Sequence, residues 1–374
     1  MAEPLKEMFN AAYFDRLART VQGAYPAFDV PAFHREVMHG LAGRELNARM
    51  RHASITLRKH LPQDFHRTVG VLKEVALEMP KGYTALLYPD LVALYGLDDP
   101  AFSLDALAYF TRFGSSEFAV REFLRRDLEG TLHVMRQWAE DESEHVRRLA
   151  SEGSRPRLPW SFRLDAVLRD PRHTRPILTC LRSDPAPYVR KSVANHLNDI
   201  SKDHPDYVVD LLRTWGLQHP ATAWIAKHAC RTLIKAGAQD ALALFSYNKR
   251  VKVRVEDLRL AEDRLALGGT LEFAFELVSG SDQDQPLVID YAIHYMKADG
   301  RHSRKVFKLK VLELPARAAI TLRKRQRIVD LSTRKHHPGD HRVEVLVNGN
   351  SLAIAGFVLE IAHRQDAAPE RLKA

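Results

Sequence analysis

Arg148 and Glu152 lie four residues apart in "RRLASEG", and Asn195 and Asp199 repeat that interval in "ANHLNDI". Residues four apart share one face of a helix, so each pair presents its polar groups to one place. An acid set among bases suits the holding of a positive charge, on a bound group or one forming in a reaction. The plainer alternative is a surface ion pair between Arg148 and Glu152, worth under about 1 kcal/mol.

The helices that must carry these residues repeat. "EFAVREF", "EHVRRLA", "PYVRKSV" and "AWIAKHA" align on Phe118, His145, Tyr188 and Trp224, and each has a base three residues later: Arg121, Arg148, Lys191 and Lys227. Four positions beyond stand Arg125, Glu152, Asn195 and Arg231. One register at unequal intervals fits helix-pair repeats of the HEAT type with one insertion. In a solenoid of such pairs the four bases form a column on the concave side, suited to tracking phosphates. Glu152, Asn195 and Asp199 interrupt that column, and Glu117, opening the first repeat helix, points to the same place.

Beyond residue 250 the period changes from helical to two, as in "TLEFAFELV", "LVIDYAIHYM" and "HRVEVLV". Seven such runs with turn signals between them predict an antiparallel β-sandwich. The expected organisation is an all-α HEAT-like repeat solenoid over 1–248, an all-β sandwich over 249–365 and a frayed tail over 366–374. The formal net charge of +9 favours an anionic partner such as nucleic acid. Two cysteines, Cys180 and Cys230, are too few for a disulfide framework or a zinc site, and fit a reducing cytoplasm. No signal peptide or membrane span is expected. The histidine-rich "RKHHPGDHR" over 334–342 lies on a sandwich loop and is not expected to bind metal.

Between the column helices lies "SEGSRPRLPW". Gly153 is expected to end its helix in a left-handed conformation. Pro156 and Pro159 stiffen the loop beyond it, which lets Arg155 and Arg157 reach phosphates and Trp160 lie against a sugar or base. The alternative is a Trp160 buried at the start of the next helix.

At "SSEFAVREFL", "RRLASEGSRPRLPW" and "YVRKSVANHLNDISKDHPDYV", and at "LKEMFN", "FDVPAF" and "RELNARMRHASITLRKHLP", the chain resembles bacterial DNA alkylation repair glycosylases of the AlkC type. It is more distantly similar to the AlkD type, from which it departs at Asn195. The resemblance implies a monofunctional glycosylase for cationic alkylated bases: 3-methylcytosine, 1-methyladenine and possibly 3-methyladenine. It also makes the sandwich immunoglobulin-like. It implies catalytic roles for Glu117, Glu152, Asp199 and Trp160, with Arg148 and Arg155 in the same site. Arg121, Arg148, Arg155, Arg157, Lys191, Asn195, Lys227 and Arg231 are the expected DNA-binding residues. The partner is then double-stranded DNA with alkylated bases, bound by a cytoplasmic, nucleoid-associated monomer that needs no cofactor or metal. The competing readings are a non-catalytic HEAT scaffold, which has no use for acids in its groove, and a nuclease, which wants acid clusters suited to Mg²⁺.

Overall fold

The computed structural model describes residues 4–247, 250–331 and 334–361. The expected boundary at 248/249 and the tail 366–374 lie outside them. By packing, the chain divides into two compact units, Met1–Ala229 and Cys230–Ala374.

The first unit is an all-α HEAT-like repeat solenoid. Its helices begin where short acidic or amide side chains take up free backbone N–H groups. Asn10, Asp29, Asp64, Asp99 and Asp127 each accept from the amide three residues on, a cap worth about 1 kcal/mol apiece. Pro100, Pro187 and Pro205 occupy first turns, where a missing N–H costs nothing. Amphipathic segments form the helices Val30–Met38, Leu46–His60, Phe65–Glu78 and Pro205–Trp215. Their apolar stripes close a core in which Phe14, Leu17, Phe33, Leu57 and Leu72 are wholly buried.

The four aligned segments form the helices Val120–Arg126, Glu144–Gly153, Pro187–Ile200 and Pro220–Ala229. The Pro187 helix packs against both the Glu144 and the Pro220 helices, so these three repeats are spatial neighbours. Two ends differ from the expectation. Glu117 sits in the turn before its helix. The last helix stops at Ala229, and Arg231 opens a new one, Arg231–Ala236, in the second unit.

The second unit is the immunoglobulin-like sandwich. Its strands are β1 (Val253–Leu260), β2 (Arg264–Ala266), β3 (Thr270–Ser279), β4 (Gln285–Met296), β5 (His302–Leu314), β6 (Ala319–Arg327), β7 (Gly339–Val347) and β8 (Asn350–Glu360). One sheet has the order β1-β3-β6, the other β2-β8-β7-β4-β5. All pairs are antiparallel except β2 with β8. Alternate residues of β3 and β4, among them Phe273, Phe275, Leu277, Tyr291 and Ile293, fill the space between the sheets. β4 is buried on its other face too, through Val288, Asp290 and Ala292. The helix Arg231–Ala236 packs against the neighbouring β5.

Candidate active site

The segment after the Glu144 helix is fixed by its backbone. Arg121, wholly buried, donates from Nη1 to the carbonyls of Gly153 (3.0 Å) and Arg155 (2.7 Å), and from Nη2 to that of Phe162. Burial, aided by the nearby Arg155 charge, lowers its pKa to about 10, which still leaves it charged at neutral pH. A side chain without exposed surface cannot meet a phosphate, so Arg121 is a strut and not a member of a DNA-binding column.

Gly153 is likewise not the left-handed terminator expected. It is the last helical residue, and a Cβ there would stand 2.5 Å from Val120 Cγ1. Close packing, not backbone freedom, calls for glycine. The left-handed residue is Trp160, with φ of 63°. Trp160 is 73 % exposed, and the next helix starts only at Asp165, so it is not buried at a helix start.

The carboxylates and guanidiniums alternate in a row. Glu117 Oε2 accepts from Ser115 Oγ (2.8 Å) and from Arg148 Nη1 (2.7 Å). Arg148 Nη2 lies 3.6 Å from Glu152 Oε1, which also accepts from Arg155 Nη1 at 2.6 Å. Glu152 Oε2 takes the Ser192 hydroxyl at 2.6 Å. Arg155 then turns its Nε (2.9 Å) and Nη2 (2.8 Å) to Asp199 Oδ2, while Lys202 holds Oδ1 at 3.1 Å. Burial opposes the charge on Arg148 and Arg155, but the acids on either side outweigh it and hold both pKa values above the ordinary one.

A cavity of about 560 Å³ opens on one end of this row. Glu117 and Glu152 line it, with Phe118, His145, Tyr188 and Trp160 as further walls. Asp199 is not among the lining residues; its Oδ2 accepts from Arg155 and its Oδ1 from Lys202. Tyr188 carries the Arg148 guanidinium over its ring at 4.6 Å. Trp160, Phe118 and Ser115 also line a second cavity of about 410 Å³.

The other expected DNA contacts scatter. Lys191 and Lys227 are exposed, Asn195 is half-buried, and Arg157 meets both oxygens of Asp203 at 2.8 Å. The basic column is thus not continuous: two of its four members, Arg121 and Arg148, are engaged with protein groups. Sequence reasoning missed Tyr188 and Ser192. The signal was present, since Tyr188, Ser192, Asn195 and Asp199 form one helical stripe. In the 334–342 segment His336 meets Asp330 and His341 Nε2 meets the His337 carbonyl. Among the described residues no group of three or more His, Cys, Asp or Glu has metal-binding geometry, and no helix is long and apolar enough to cross a membrane.

Comparison with known proteins agrees with both units. Residues 254–361 match the family described as "Uncharacterised protein YhaZ, C-terminal Ig-like domain". The YhaZ protein of Bacillus subtilis (strain 168) is 41 % identical over 92 % of this chain and 96 % of its own length. The solved structure of the Pseudomonas fluorescens alkylpurine DNA glycosylase AlkC, bound to DNA containing an abasic site analogue, is 47 % identical. It superposes with a TM-score of 0.93 over 96 % of this chain and 100 % of that one. With such likeness along both units, the chain belongs to the AlkC-type family of bacterial DNA alkylation repair glycosylases, in the form that carries a C-terminal immunoglobulin-like domain.

Proposed function

We propose that this chain is a monofunctional DNA glycosylase that hydrolyses the N-glycosidic bond of cationic N-alkylated bases in double-stranded DNA. 3-Methylcytosine, 1-methyladenine and 3-methyladenine are its substrates. The observation that carries the reading is the convergence of Glu117 and Glu152 on one aromatic-walled cavity beside the exposed Trp160.

Methylation of a ring nitrogen already gives these bases a positive charge. The leaving group therefore departs neutral without a general acid, and positive charge moves onto the deoxyribose. Glu152 and Glu117 face that developing charge, stabilise the oxocarbenium-like transition state and orient the water that completes hydrolysis. Arg148 and Arg155 hold both acids in place through direct ion pairs, and Asp199 acts through Arg155 as a positioning residue. Trp160 lies against the sugar or base of the lesion nucleotide. An acid face presented to the sugar does not require the base to be rotated fully out of the duplex, in contrast to glycosylases that enclose it. Lys191 and Lys227, both exposed, are the expected contacts left to meet phosphates.

The test is release of each methylated base from alkylated duplex by the wild type and by Glu152→Gln. Excision by the wild type with severe loss in the variant is expected. Equal activity in the two would remove the proposed role of the acid.

A further inference from the structure

The second cavity has no part in the chemistry above, yet it is built around a charged group held in place. Arg51, on the helix Leu46–His60, directs Nε at both oxygens of Asp90 (3.0 and 2.9 Å), and its Nη2 lies 2.8 Å from Oδ1. The Asp90 side chain is 8 % exposed, the Arg51 side chain 50 %. The acid is therefore sunk in the protein, while the Arg51 side chain is half-exposed and its Nη1 is not used by Asp90. Across the same cavity Glu122 pairs with Arg125, whose guanidinium lies 5.0 Å over the Phe162 ring and whose side chain is 65 % exposed. Two arginines are thus each backed by a carboxylate of the cavity wall.

A buried acid behind an exposed arginine fixes the planar fork before any ligand arrives. Less freedom is then lost on binding, and the fork matches the oxygens of a phosphate. The floor between the pairs is apolar: Met50, Leu86, Phe118 and Phe162. Trp160 is common to both cavities, so a group here adjoins whatever occupies the carboxylate cavity. We infer that this second cavity is a nucleotide subsite for the lesion strand, with Arg51 gripping a phosphodiester next to the damaged nucleotide. The apolar floor packs against the sugar of the same neighbour. This rests on the proposed action on DNA, and adds a phosphate contact from a part of the chain where the sequence pointed to none.

The experiment pairs Arg51→Gln with duplexes that contain an abasic-site analogue and one neutral methylphosphonate, moved through the two phosphates on each side of the lesion. Arg51 is half-exposed, so the variant should fold; its melting temperature is measured alongside. Binding of the unmodified duplex should weaken roughly tenfold, with a shallower salt dependence. At one position the methylphosphonate should weaken the wild type equally and leave Arg51→Gln unaffected. If every modification weakens both proteins by the same factor, or if Arg51→Gln binds the duplex like the wild type, the subsite is wrong. Inorganic phosphate competing at Arg51 without any change in duplex affinity would equally overturn it. A wild type that excises alkylated bases while Arg51→Gln is indistinguishable from it refutes this inference alone. A wild type that neither binds nor excises refutes the function it rests on.

Discussion

Replacing Glu152 by Gln keeps the shape of the side chain and removes its charge. A unit charge about 4 Å from a forming cation, at an effective dielectric of about 20, contributes roughly 4 kcal/mol, or about a thousandfold in rate. Glu152 is not alone, however: Arg155 Nη1 lies at 2.6 Å and Arg148 Nη2 at 3.6 Å from the same oxygen, which offsets part of its field. The expected loss is therefore about a hundredfold, or 2 to 3 kcal/mol on that scale. Asp199 does not line the cavity and is proposed to act through Arg155, so Asp199→Asn should cost only about tenfold. The assay is single-turnover release of 3-methyladenine from methylated duplex under saturating enzyme, with melting temperatures confirming that both variants are folded. If folded Asp199→Asn loses as much activity as Glu152→Gln, the order of the two acids along the row has been misread.

Burial and exposure set three further outcomes. Asp290 is buried with Oδ1 unpaired, and burial, resisted by Lys308 and Lys235, raises its pKa to about 6. An acid raised in the folded state stabilises fully below its unfolded pKa and loses that contribution as pH rises through the folded value. The second unit should therefore lose about 3 kcal/mol between pH 4 and pH 6 from this group. Asp290→Asn should raise the melting temperature at pH 7.5 and match the wild type near pH 4, measured by scanning calorimetry. Trp160→Ala should leave the melting temperature unchanged, since Trp160 is 73 % exposed, and weaken binding of abasic-analogue duplex by roughly tenfold in a titration. Gly153→Ala forces a Cβ to 2.5 Å from Val120 Cγ1 and should cost about 1–3 kcal/mol in chemical denaturation, with a displaced loop and reduced excision.

The fold was largely legible because most elements in both units bury one face. Period two marked seven strands; β2, with three residues, is too short to show any period. The shared register of Arg121, Arg148 and Lys191 correctly put them on repeated helices, but register cannot say what covers a face. Over Arg121 it is the returning segment up to Phe162, a contact across 41 residues that no local pattern encodes. The same limit hid the order of the acids. Spacing aligned Glu152, Asn195 and Asp199, while the interposition of Arg155 depends on how the loop folds back. Gly153 was misread for a related reason: a glycine is read as a turn former unless its neighbours are known.

Arg121 holds the segment through three carbonyl oxygens, with its guanidinium over the Phe162 ring at 5.1 Å. The anchorage is thus blind to residue identity between Pro156 and Ser161. Evolution, or a designer, can exchange the exposed Pro159 and Trp160 while the same clasp, with the buried Pro156 and Leu158, keeps the segment in position.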